Sequence, residues 1–220
     1  MGNAKMCLKW DEKKMEDSKR NKELDMYCAL MNEVKKRTQA ITDMLRGRTT
    51  TSFRSTNIEF MCLQLRKILE LISMGSLVLN KDEFEAVGKK YEDFWNAKLI
   101  LQDIERLNPD FYPIAITDVP SKRPGVTSDL VNKTSGFLTR EEFVKVYDKC
   151  GKMMHSYNPF GSHYDFDYYE KKIAEWEDLI IGLLNSHLIH LKGVDGFFLI
   201  HMQEDERDDV HGYWFDSAND

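Results

Sequence analysis

Turn-forming residues are scarce in this chain. Its 220 residues include five prolines and twelve glycines, too few to divide it into many short strands, so long helices are expected. Four cysteines, at positions 7, 28, 62 and 150, lie far apart with no C-x-x-C pair. That spacing excludes zinc held by paired cysteines and reads as free thiols of a reducing cytosol. No segment approaches about 18 consecutive apolar residues, so no membrane span is expected. The opening Met1-Gly2-Asn3-Ala4-Lys5-Met6 lacks the apolar run of a secretory signal and the Ser or Thr at position 6 of a myristoylation site. Walker A, GxGxxG, GxSxG, HExxH and EF-hand signatures are all missing, which disfavours nucleotide-cofactor enzymes and common serine hydrolases and predicts no cofactor.

What is present fits one globular domain over residues 1–220, with 42% hydrophobic, 31% charged and 11% aromatic residues. The net charge of −6 is unevenly spread. Residues 1–56 carry 13 basic against 8 acidic side chains, and the remainder carries 18 against 29. Any phosphate contact therefore falls to the N-terminal part, where Lys35, Lys36, Arg37, Arg46, Arg48 and Arg54 surround a Thr49-Thr50-Thr51-Ser52 stretch. The alternative is a solvated helix end and loop.

The predicted architecture is mainly α: a bundle of about five helices carrying a small antiparallel sheet or C-terminal hairpin. Residues 1–19 read as a mobile or weakly helical arm, 20–108 as helical, 109–137 as strand and loop, 138–192 as helical and 194–216 as a hairpin. Leu24, Tyr27, Met31, Val34, Thr38, Ile41 and Leu45 set a helical seam over 21–45 that Gly47 stops. A helix from a cap in Ser55-Thr56-Asn57 to Leu79 is apolar on nearly every side and is predicted to be central. A third, over 82–107, turns Phe84, Val87, Tyr91, Phe94, Trp95 and Leu101 inward and ends before Pro109. Residues 111–116 suit a short edge strand, and 120–136 a surface loop. Thr139-Arg140-Glu141-Glu142 is a capping box opening a helix that ends near His155. The last helix is expected over 166–191, with Gly193 as its stop.

Polar residues inside the apolar second helix are the first candidate site. Glu59, Arg66 and Glu70 fall on one stripe, nearly joined by Ser73. Ionisable groups there are costly unless paired. The stripe is either a buried Arg66–Glu70 pair binding neighbouring helices together or the lining of a cleft. His155, between a helix end and the turn at Asn158-Pro159, is either a cap on the last carbonyls or a general acid or base. Four of the six histidines lie between 187 and 211. His187 and His190 share a predicted helix face, and His201 and His211 pair across the predicted hairpin, so the four are weak candidates for a metal that imidazoles suit. No metal site is expected from them.

The segments LQLRKILELI, NPDFYP and LTREEF, with His155 followed by Asn158-Pro159-Phe160, resemble those of a group of bacterial helical proteins and of the HEPN superfamily of small helical bundles. That resemblance covers residues 55–160. It implies a bacterial toxin or phage-defence role with RNA as the substrate and Arg66, Glu70 and His155 at a groove. The family's Arg-x(4–6)-His pattern is incomplete, since no Arg stands at that distance before His155, and Arg207 to His211 is one residue short. Without a complete catalytic motif, the leading expectation is a non-enzymatic helical interaction protein of a bacterial cytosolic multi-protein system. It would bind a protein partner or a second copy through amphipathic helices and the apolar hairpin residues Phe197, Phe198, Tyr213, Trp214 and Phe215. The rival expectation is a HEPN-like RNA-binding or RNA-cleaving bundle.

Overall fold

The computed structural model describes residues 3–86, 96–125, 128–156, 160, 163–203 and 209–216, with side chains described from Ser18 onward except at Glu83, Phe84 and Ala86. The chain opens on α1 (Asn3–Leu45), followed by α2 (Arg54–Leu79), α3 (Lys81–Ala86) and α4 (Ala97–Leu107). Two strands, β1 (Ile114–Pro120) and β2 (Ser128–Asn132), lead to α5 (Arg140–Lys152) and α6 (Phe166–Leu184). The described chain closes with β3 (Ser186–His190), β4 (Gly196–His201) and β5 (His211–Asp216). All neighbouring strands pair antiparallel in the order β2-β1-β3-β4-β5. The fold is therefore mixed α and β, a five-stranded sheet with helices against one face, and not a helical bundle with a small hairpin.

Of residues 1–19, expected as a mobile or weakly helical arm, those from Asn3 onward are the first part of α1, a helix of 43 residues, about 65 Å long at 1.5 Å per residue. No glycine or proline interrupts the chain from Asn3 to Arg46, and Gly47, at φ +68°, ends the run. The predicted seam is buried at Tyr27, Met31, Val34 and Ile41, whereas Leu45 at the last turn is exposed. Gly75 of α2 makes room for Tyr27, because a Cβ there would lie 2.7 Å from the Tyr27 ring. The helices cross where a side chain is missing.

α2 is central, as its composition predicted. Ile58, Cys62, Leu65, Ile68, Leu69 and Ile72 are each at most 1% exposed, and α1, α4, α5 and α6 all pack on it. The helix begins three residues before the predicted Asn57, with Phe53 in extended conformation as its N-cap. Thr56 Oγ1 accepts the Phe53 N–H, and Asn57 Oδ1 accepts from Thr51 N at 2.8 Å. The expected single helix over 82–107 is instead α3 and α4. Asn96 begins α4 by accepting from Lys98 N and Leu99 N, and Asn108 ends it with an extended backbone before Pro109, which disfavours helical dihedrals. Leu101 is buried as expected; Val87, Tyr91, Phe94 and Trp95 lie outside the described residues, and the Phe84 side chain is likewise not described.

Two further expectations change. The segment read as a loop over 120–136 contains β2, so β1 is an inner strand paired on both sides. The sequence SDLVN is short and polar, the character of a protected edge, and carries no periodic apolar signal. The helix expected to reach Leu191 stops at Leu184, and Ser186–His190 pairs with β4. Gly193, at φ +68°, consequently serves the β3–β4 turn and not a helix stop. The Thr139–Glu142 capping box forms as predicted, with Glu142 N donating to Thr139 Oγ1 and Thr139 N to Glu142 Oε2, each 3.2 Å.

Strand alternation gives the sheet two unlike faces. Ala115, Ile189, Phe198 and Ile200 point into the helical core. Leu188, Phe197, Tyr213 and Phe215 point the other way, following the pairs Leu188↔Leu199, Phe197↔Phe215 and Leu199↔Tyr213. Ile116 and Leu199 are buried on that outer side yet stand apart from the helical core cluster.

Candidate functional site

Arg66 and Glu70, one turn apart on α2, form an ion pair of 3.2 Å from Nε to Oε1. Their side chains keep 28% and 31% of their exposure, so this is a half-buried pair at the rim of the helical layer, between the buried and the open alternatives. Tyr147 of α5 completes it. Arg66 Nη2 donates to the Tyr147 hydroxyl at 2.6 Å, that hydroxyl donates to Glu70 Oε1 at 3.3 Å, and the guanidinium lies 4.0 Å above the ring. Burial raises the Tyr147 pKa while Arg66 opposes the rise. Glu59, assigned to the same stripe, is exposed, and Ser73 is buried with its hydroxyl on the Leu69 carbonyl at 3.0 Å.

The structure brings Arg66 and His155 to one groove of about 540 Å³, lined also by Asp148, Gly151, Lys152 and Met154. Glu70 belongs to a neighbouring groove of about 240 Å³ with Arg37, Lys67, Leu71 and Met74. The three residues expected at one groove are thus divided between two. His155 follows α5, its backbone N–H donating to the Lys152 carbonyl at 3.3 Å. The carbonyls at the end of α5 are met by phenols: Tyr164 donates to the carbonyls of Lys152 and His155, and Tyr169 to that of Lys149, each at 3.1 Å. Beneath the groove, Cys62 and Cys150 are buried against each other, and their hydrogen bond together with burial holds the Cys150 thiol well above its ordinary pKa. Such thiols are inert.

Four of the six basic residues expected to contact phosphate have partners among the described residues. Arg37 bonds Gln64 Oε1 at 2.8 Å and Glu33 at 2.6 Å, Arg48 bonds Asp43 at 3.0 Å, and Arg54 bonds Asp167 and Glu170. Lys35 donates to the Met202 carbonyl at 3.4 Å. Lys36 and Arg46 are exposed. Half of these charges are ion-paired, Arg37 and Arg48 with nearby residues of α1 and Arg54 across to α6.

The four histidines do not converge. His201 and His211 pair across β4 and β5, as the hairpin reading required. His187 and His190, three apart on a strand and not on a helix, point to opposite faces. His187 is fully buried; its Nδ1 donates to the Leu184 carbonyl at 2.8 Å, so Nε2 accepts from the Tyr27 hydroxyl at 2.7 Å. Burial lowers its pKa to about 4. Among the described residues, no group of three or more His, Cys, Asp or Glu is placed to hold a metal ion.

The outer sheet face carries rings. Phe197 and Phe215 stack at 5.6 Å with planes 20° apart, His190 lies 5.8 Å from Phe197, and His201 meets Tyr213 at 6.4 Å. Tyr213 and Phe215 are 41% and 45% exposed. Of the five aromatics expected to form one patch, Phe198 and Trp214 face the helices instead, packed edge to face at 4.9 Å with Arg20 of α1 over the indole. Sequence reasoning missed Tyr147 and Gly151 altogether. Tyr147 is 81 positions from Arg66, and nothing local to it signals that contact.

No protein-family model, curated protein or solved structure matches this chain. Among the described residues, no helix is long and apolar enough to cross a membrane.

Proposed function

We propose that this chain is an interaction protein, working in a bacterial cytosolic assembly, that binds a protein partner through the outer face of its sheet. The observation behind this reading is the layer of rings on the side turned away from the helices, with half-buried Phe197 stacked on Phe215, and with Phe215 and Tyr213 exposed. Exposed aromatic clusters of this kind supply the centre of protein interfaces. Charge favours a protein over a nucleic acid, because none of the outward positions on the five strands is Lys or Arg and phosphate contact needs positive charge. The test is photo-crosslinking in cells from a benzoyl-phenylalanine at position 213, with the same probe at exposed Glu59 as the control. A discrete crosslinked species seen only from position 213, and lost with Phe215→Ser, is expected. Indistinguishable products from the two positions would sink the reading.

One observation favours the rival reading of an RNA-binding or RNA-cleaving bundle: Arg66 and His155 line the same groove. Incubating the pure protein with a mixed RNA pool tests it. Cleavage abolished by His155→Ala would displace the interaction reading.

A further inference from the structure

We propose that the groove between α2 and the end of α5 is a binding site for a small phosphomonoester, its phosphate held by Arg66, Lys152 and His155. Three features carry this. The Arg66 guanidinium is fixed on its Nε and Nη2 side by Glu70 and Tyr147, and its plane is fixed by the Tyr147 ring. Its Nη1 is the remaining end, and among the described residues nothing hydrogen-bonds it. Gly151 keeps that end accessible, since a Cβ there would sit 2.7 Å from Nη1.

The groove also brings Lys152 and His155 to the same space, and neither side chain has a hydrogen bond or ion pair with the described residues. The remaining charge, Asp148, is paired with Lys98 at 3.0 Å. The groove is therefore lined by three donor groups without a partner among the described residues, Arg66 Nη1 and the side chains of Lys152 and His155. A flat carboxylate is best met by the two-pronged edge of an arginine, and that edge is already occupied here. A tetrahedral oxyanion matches several single donors. The partial negative charge at a helix C-terminus would oppose an anion, but the carbonyls of Lys149, Lys152 and His155 are each met by a tyrosine hydroxyl. The volume of about 540 Å³ exceeds that of a bare phosphate and leaves the Met154 wall for an apolar ester group.

The site is independent of the sheet face and of RNA cleavage. The experiment is a nuclear magnetic resonance titration of the full chain, following the His155 ring, with phenyl phosphate, inorganic phosphate, acetate and a uridine decanucleotide at constant ionic strength. Saturable shifts are expected with phenyl phosphate, weaker binding with inorganic phosphate and weaker still with acetate. Lys152→Gln and His155→Gln, both at exposed positions, are each expected to weaken binding about tenfold, as loss of a charge-assisted hydrogen bond does. For His155→Gln the backbone amide of Met154 is followed instead. Gly151→Ala is expected to weaken it comparably without changing any charge, and Lys192→Gln, at an exposed position beside the β3–β4 turn, to leave it unchanged. No saturable shift, equal binding of acetate, tighter binding of inorganic phosphate than of the ester, or binding of the oligonucleotide alone would overturn the proposal. So would equal losses from Lys192→Gln and Lys152→Gln.

Discussion

β3 and β4 carry histidines on both sides of one sheet, and the two sides treat them in opposite ways. On the inner side His187 is shut between α1 and the end of α6, with both ring nitrogens engaged and its charged form disfavoured by burial. On the outer side His190 and His201 lie against Phe197 and Tyr213 at partly exposed positions. Residue type is the same and sequence separation is small, so the difference is one of strand parity alone. The same parity divides the aromatic residues: Phe198 is a core residue at 1% exposure, while Phe215, opposite its neighbour Phe197, keeps 45%. Inner positions are packed against the helices, while the outer side mixes buried positions such as Ile116 and Leu199 with exposed rings such as Tyr213 and Phe215.

The sharpest way to break that distinction is to empty one position on each side. Phe198→Ala is expected to cost about 3–5 kcal/mol, the range for a large aromatic removed from a packed core. Phe215→Ala is expected to cost under about 1 kcal/mol, because its ring already faces solvent. Denaturant unfolding of the two variants measures both, and equal losses would mean that the outer face is covered as fully as the inner one.

Acid separates the two sides next. The His187 pKa falls from 6.5 to about 4 on folding, so below pH 6.5 the unfolded chain binds a proton that the folded chain refuses. Stability is expected to fall as the pH drops from 6.5 to 4, by about 3 kcal/mol at 1.36 kcal/mol per pKa unit, and to lose nothing more from this group below 4. In His187→Gln that slope should vanish, whereas His190→Gln should retain it. Unfolding curves at a series of pH values decide the matter.

The smaller effect concerns the helical layer. Arg66→Met would cost about 3–5 kcal/mol if it stranded a fully buried Glu70. At about 30% exposure for both partners water reaches the remaining carboxylate, so a loss of about 1–2 kcal/mol is expected, from the stacking on Tyr147 and the shared hydrogen bonds. The double variant with Glu70→Leu is expected to recover less than half of it. A thermal melt unmoved by Arg66→Met would show that Tyr147 alone fixes that helix contact.

The smallest effect returns to the sheet. Tyr213→Ser, at 41% exposure, is expected to shift the denaturation midpoint by under about 1 kcal/mol, while crosslinking from position 215 is lost. A large loss of stability with crosslinking retained would reverse the assignment of the outer face.

Local chemistry made several features legible in advance. The apolar run of α2 needs to be covered on all sides, the Thr139–Glu142 pair satisfies helix-end donors within four residues, and the seam of Tyr27, Met31, Val34 and Ile41 follows helical periodicity. The β4–β5 hairpin, with His201 opposite His211, was also legible, since two aromatic-rich runs flank a charged stretch and a turn centred near Glu206 sets those two histidines opposite each other. Other features depend on distant pairing. β2 is too short and polar to announce itself, and Ser186–His190 is a strand because β1 and β4 supply its hydrogen bonds on both edges. Parity in that strand then sends His187 inward to Tyr27, 160 positions away. Likewise, the Arg66–Glu70 spacing on α2 is a property of the sequence, but Tyr147 over the guanidinium and Gly151 beside it come from the docking of α5. Periodicity and capping determine which segments become helices, because those interactions close within a turn or two. Sheet order, strand faces and the shape of the groove were decided only in the tertiary structure, because their partners lie dozens of residues apart and have no local signature.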